Sequence, residues 1–176
     1  KKITGIRLDA VPHGSLPASG PGRAGNANFA LTEIDAAALS GHGSPTTQPI
    51  AFQAASGDFE QRVGGEISPY GRWPAIAAID GDKYGKNFGW AIYDRAGQPS
   101  HAVFETATDI STGKEVVLQF KLHQNFGATA TIGHFRISVA NTPQIKQKMR
   151  KAKSPRGRAA LVKRGVTVLL EWGLRK

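Results

Sequence analysis

Residues 115–123, EVVLQFKLH, alternate apolar and polar side chains with a period of two: Val116, Leu118, Phe120 and Leu122 fall on one face, Val117, Gln119, Lys121 and His123 on the other. A strand turns successive side chains to opposite faces, so this pattern predicts a half-buried β-strand. Working outward, Asn125–Thr131 reads as a loop and Ile132–Ala140 as a returning strand with Phe135, Ile137 and Val139 in phase. Upstream, Ser100–Thr106 and Gly89–Tyr93 carry β signals, and Ala75–Ile79 is a further short element before the loop Asp80–Phe88. Ser56–Arg62 reads as a helical turn, with Ser56 or Asp58 near its start. Ile50–Ala55 is a short strand, residues 40–49 are turn-rich, and Phe29–Ala38 and Lys2–Val11 are strands. Strands at this spacing, with no long helices between them, predict an all-β antiparallel jelly-roll β-sandwich.

Composition points the same way. The chain has 176 residues, 21 of them Gly and 10 Pro, and only 8% are aromatic, which disfavours a helical bundle. Zero cysteines exclude a disulfide scaffold, a thiolate zinc site and a cysteine nucleophile. No apolar run approaches a membrane span, so the chain as it stands reads as soluble, either a mature form or a piece of something larger. Residues 12–28, rich in Gly, Pro, Ser and Asn, form a loop long enough to be functional or pinned.

The net charge of +10 is not evenly spread. Residues 1–141 hold 12 Lys/Arg against 12 Asp/Glu, while residues 142–176 hold 11 Lys/Arg against one acid, Glu171. The expected division is therefore a neutral sandwich over 1–141 and a basic extension over 142–176, with helical potential in Ile145–Lys153 and Ala159–Leu170 interrupted by Ser154-Pro155 and two glycines.

Three separated blocks carry a resemblance. The string PAIAAIDGD…GWAI…HAVFE within residues 74–105 resembles the A-x-DGD…W segment of discoidin-like domains, the type C domains of coagulation factors five and eight. Together with ITGIRLDAVPHGSLPASGPGRAGNANFALTEI at the start and LQFKLHQNFGATATIGHFRISVA at the end, it is similar to the galactose-binding-like β-sandwich region of planctomycete proteins associated with cytochrome c domains. The resemblance covers roughly residues 3–141 and implies a galactose-binding-like jelly roll. Such folds serve many roles, so it implies no activity.

Asp80-Gly81-Asp82 sets two carboxylates on a turn. Ca²⁺ takes six to eight oxygens, and similar domains often hold a structural calcium at this loop. The donor set would be Asp80, Asp82 and Glu33, completed by the carbonyls of Ala78 or Lys83; the alternative is an ordinary turn in which Asp80 accepts backbone hydrogen bonds. Sugar recognition uses an exposed aromatic face with planar polar groups nearby. Tyr70, Arg72, Trp73 and Tyr84 supply both kinds, with Phe88 adjacent and His101 as a further contact. Trp73 is equally readable as a core anchor, and Trp90, in phase with Ile92, reads as core. His101 reads first as a satisfied structural imidazole.

No two histidines have a zinc-binding spacing, and no G-x-S-x-G, P-loop or dinucleotide fingerprint is present. The close acid pairs in loop settings, Asp58/Glu60 and Asp80/Asp82, lack apolar surroundings that would raise one pKa, so no enzyme is expected. The expected function is a non-catalytic recognition module for carbohydrate, at an exported, periplasmic or cell-surface location. One alternative is anion binding, to nucleic acid or sulfated polysaccharide, through Lys146, Lys148, Arg150, Lys151, Lys153, Arg156 and Arg158, which can release counterions from a polyanion. The other is a structural domain that orients partners in a larger cytochrome-c-associated protein.

Overall fold

The computed structural model describes residues 2–40, 46–111, 116–127 and 129–141, and the strand backbone of 166–171. Among the described residues ten strands form in chain order: β1 Lys2–Ala10, β2 Ala30–Leu31, β3 Glu33–Ser40, β4 Thr46–Ile50, β5 Phe52–Gly57, β6 Trp90–Ala91, β7 Ser100–Ser111, β8 Val116–His123, β9 Phe135–Ala140 and β10 Val166–Glu171. The helical elements among the described residues are 3-10 turns at Pro17–Ser19, Ala75–Ile79 and Tyr93–Arg95. None is long and apolar enough to cross a membrane.

One sheet runs β5-β7-β1-β9, a second β10-β8-β3-β4, and β2 pairs with β6. Pairing is antiparallel except for β10 against β8. The fold is thus all-β and mostly antiparallel. Ile6 and Leu8 of β1, Phe104 of β7, Ile34 of β3, and Leu118 and Phe120 of β8 belong to one buried cluster, so the two large sheets close over a shared core. Trp90 lies in it fully buried, its Nε1–H donating to the Phe59 carbonyl at 2.9 Å and its ring edge-on to Phe29. At Gly89, φ is +123° and a Cβ would meet the Leu31 carbonyl oxygen at 2.2 Å; only glycine lets β6 lie against β2 there.

The sequence expectations shift in three places. Thr46–Ile50, inside the turn-rich stretch, is strand β4; it lies at a sheet edge, where Pro49 withholds no hydrogen bond the ladder needs. Ser56–Arg62 makes no helical turn: Ser56 and Gly57 complete β5, and Gln61 bridges to Trp73. Val166–Leu170, assigned helical potential, pairs as β10 instead, in keeping with the β-branched Val166, Thr167 and Val168. The helix expected over Ile145–Lys153, and its continuation over 159–165, lie outside the described residues.

The long loop 12–28 is pinned. Gly22 bridges Ile132, Arg23 N–H donates to the Thr131 carbonyl at 2.8 Å, and Gly133 N–H donates to the Pro21 carbonyl at 2.7 Å. Its last residue, Asn28, donates to Gln61 Oε1 and accepts from the Ile92 N–H.

Candidate functional site

The register of β3 on β8 builds the site. Glu33 faces His123, Asp35 faces Lys121 and Ala37 faces Gln119, while Ala36 and Ala38 on the opposite face join the core. A groove of about 620 Å³ runs over this outward face. Pro49, Ile50 and Phe52 line it from the β4–β5 side, and Asp80, Gly81 and Lys83 from the loop after Ala75–Ile79. Thr32 holds that loop in place: its hydroxyl lies 3.0 Å from the Lys83 carbonyl and 2.9 Å from the His123 carbonyl. Asn125 Nδ2 donates to the same Lys83 carbonyl at 2.7 Å.

Four carboxylates meet here, and they are not alike. Asp80 Oδ1 accepts the Asp82 N–H at 2.9 Å, and Oδ2 accepts the Tyr70 hydroxyl at 2.9 Å and Asn87 Nδ2 at 3.0 Å. Asp82 Oδ1 accepts the Tyr84 N–H at 3.1 Å and Oδ2 the Asn87 N–H at 2.6 Å. All four oxygens of the Asp-Gly-Asp turn therefore have donors within the protein. Among the described residues no group of three or more His, Cys, Asp or Glu side chains is placed to hold a metal. The bond from the Asp82 N–H to Asp80 Oδ1 is that of the ordinary turn the sequence offers as the alternative reading.

Asp35 Oδ2 accepts Lys83 Nζ at 2.7 Å and lies 2.8 Å from His123 Nε2. Burial pushes its carboxyl up, but the hydrogen bonds from Lys83 and His123 outweigh this and hold it below the usual carboxylate range. Glu33 is different. It is only 6% exposed, and among the described residues the one hydrogen bond to its carboxylate is from the Gly81 N–H to Oε2 at 3.1 Å. Burial raises its pKa from 4.5 to about 7; the Gly81 bond opposes the rise, nearby Asp80 and Asp35 add to it, and Lys83 lowers it. Tyr70 is pushed up to about 12 by desolvation and by its bond to Asp80.

Of the candidate sugar contacts, Tyr70 and Tyr84 come together on the Asp-Gly-Asp turn, 37% and 64% exposed. Trp73 does not offer a face to solvent. It is buried, stacked on Phe88 with centroids 4.4 Å apart and met edge-on by Phe126 at 4.6 Å. Phe88 reaches that position through a backbone φ of +77°. The physical reason is local: Trp73 N–H donates to the Gln61 carbonyl at 2.9 Å, which folds the segment before Pro74 inward. Arg72 pairs with Glu60 at 3.4 Å. His101 sits away from the groove against Asp58, which accepts the His101 backbone N–H at 2.8 Å and also meets Arg95, the arrangement of a structural imidazole. The anion-binding candidates Lys146 to Arg158 lie outside the described residues.

The side chains of Asp35, Lys121 and His123 carry no site signal in the sequence, although alternation places Asp35 beside Glu33 and Lys121 beside His123, and Lys83 is expected there only for its carbonyl. Comparison with protein-family models, curated proteins and solved structures finds no match.

Proposed function

We propose that the protein is a non-catalytic recognition module that binds carbohydrate in the groove between β3, β8 and the Asp-Gly-Asp loop. One observation carries the reading. One open groove gathers planar hydrogen-bonding groups from Glu33, Asp35, Asp80 and Gln119 beside apolar Ala37, Pro49 and Phe52, with Tyr84 exposed on the bordering loop and Tyr70 reaching Asp80 from the segment before Ala75–Ile79. Sugars present the same mixture of hydroxyl edges and C–H faces. A galactose-binding-like jelly roll, in an exported protein or as one part of a larger one, is the architecture consistent with this reading.

Glu33 and Asp35 also have the split titration of an acid–base pair. Binding is the better reading because Asp35 Oδ2 is the counter-ion of Lys83 and the partner of His123, which fixes it as a charge clamp. The test is a glycan array probed with the full chain and with Tyr84→Ala. Binding to neutral glycans that persists at high salt, survives a chelator and weakens about tenfold in the variant is expected. No binding to any glycan, or release of new reducing ends from a bound one, would overturn the proposal.

Charge supports a second reading. The nine cations from Lys146 to Arg164 have no acid among them in the sequence. A sulfated polymer bound there would show an affinity falling steeply with salt, and glutamine at those lysines would flatten the slope.

A further inference from the structure

We propose that the groove selects sugars carrying a free, protonated amine, and that the ammonium docks on Glu33. This rests on the carbohydrate reading above and deepens it.

The argument starts from unequal partners. Glu33 Oε2 accepts the Gly81 N–H, and among the described residues no group donates to Oε1, although the side chain lines the groove. Its acidic neighbours are satisfied: Asp35 by Lys83 and His123, Asp80 by Tyr70, Asn87 and the Asp82 amide. Across the lining, three acids, Glu33, Asp35 and Asp80, face two cations, Lys83 and Lys121, and Lys83 is committed to Asp35. Among the described residues Glu33 is the acid of this lining that no cation contacts directly, Lys83 acting on it only from beyond its ion pair with Asp35. A carboxylate that is nine-tenths buried with a single amide donor is costly to ionise, which is why it keeps its proton to about pH 7.

A ligand ammonium supplies what is missing: a positive charge and three N–H donors in a charge-assisted hydrogen bond. A divalent cation needs six or more oxygens, and among the described residues no group of three or more His, Cys, Asp or Glu side chains is placed to supply them. Binding an ammonium favours ionised Glu33, so below about pH 7 a proton leaves as the ligand arrives. The other titratable groups around it are Asp35, Asp80, Tyr70, Lys83, Lys121 and His123. Asp35 is already held ionised and Tyr70 pushed up to about 12, so neither takes part near neutrality.

The experiment is calorimetric titration of the full chain with chito-oligosaccharides of one length, fully N-acetylated or fully de-N-acetylated. It is run at about pH 6 in two buffers of different ionisation heat, and repeated with Glu33→Gln. The free-amine form is expected to bind about tenfold tighter or more, to release close to one proton from the protein, and to lose its preference in Glu33→Gln. Equal affinity for the two forms, no proton release, or a preference that survives Glu33→Gln would overturn this inference and leave carbohydrate binding standing. Binding of neither form, on an array with no other glycan bound, would overturn both. The proton count on the unaltered chain decides the matter even if the variant folds poorly.

Discussion

Replacing Glu33 by glutamine tests the electrostatics of the groove without any ligand. Glutamine keeps the size, and its carbonyl oxygen can accept the Gly81 N–H, but it cannot ionise. The sign follows from linkage. Glu33 binds its proton more tightly folded, to about pH 7, than unfolded, near 4.5, so between those values the native state holds more protons and stability falls as pH rises. Integrating over the two titrations gives a loss of about 2 kcal/mol by pH 6 and about 3 kcal/mol by pH 7, levelling off above. Glu33→Gln has no such loss. Urea unfolding of both proteins at about pH 5, 6, 7 and 8 should therefore show curves that lie close together in acid and separate until the variant is the more stable by about 2–3 kcal/mol at neutral pH. A removed carboxylate that stabilises is an unusual outcome, because most substitutions at buried polar positions destabilise. Curves that stay parallel from pH 5 to 8 would refute the claim that burial holds the Glu33 proton to near neutrality.

Trp73→Ala should cost about 3–5 kcal/mol in chemical denaturation, as expected of a buried aromatic, and leave ligand affinity per folded molecule unchanged. Trp73→Phe should cost far less, since the indole Nε1–H is buried without a partner among the described residues. Asp58→Ala should destabilise by about 2 kcal/mol at neutral pH by stripping Arg95 and the His101 amide of their acceptor. His101 and Arg95 hold the Asp58 carboxyl below its ordinary range against the rise from burial, so that deficit should vanish as pH falls through the acid range and the wild-type carboxylate is protonated. Deleting residues 142–176 removes β10 and bares the β8 edge, and sedimentation velocity should show self-association of the truncated chain.

How far the sequence carried the reader depends on the range of the interactions involved. The strict alternation of residues 116–123 reports burial on one face directly, and the observed β8 follows it residue by residue. β4 was hidden because its partner, β3, is what makes a strand of a Pro- and Thr-rich stretch; local propensity argues for a turn and the ladder overrules it. Trp73 was ambiguous for a similar reason, since the two phenylalanines that enclose it lie 15 and 53 residues further on. In the site, Glu33 and the Asp-Gly-Asp turn are both legible in the sequence as neighbours, and the structure joins them through the Gly81 N–H. What the sequence could not supply was the identity of the donors: Tyr70, Asn87 and three backbone amides occupy the aspartate oxygens, and no composition or spacing encodes that.

The turn also touches Glu33 through one amide, and Gly81 isolates that contact. Its φ of +89° is open to glycine and strained for any residue with a Cβ, yet a Cβ built there meets nothing within 4 Å. Gly81→Ala therefore introduces backbone strain without a clash. The cost should be about 1–2 kcal/mol if the turn keeps its shape. If the turn relaxes instead, the Gly81 N–H swings away from Glu33 Oε2 and removes the one hydrogen bond that favours the ionised carboxyl, so Glu33 should then titrate above about pH 7, observable in the side-chain carboxyl carbon shift across a pH series. One of the two signatures must appear if a positive-φ glycine aims that amide at the groove. A Gly81→Ala chain with unchanged stability and an unchanged Glu33 titration would mean that the turn neither needs glycine nor governs the acid it touches, and the coupling between the loop and the groove would have to be abandoned.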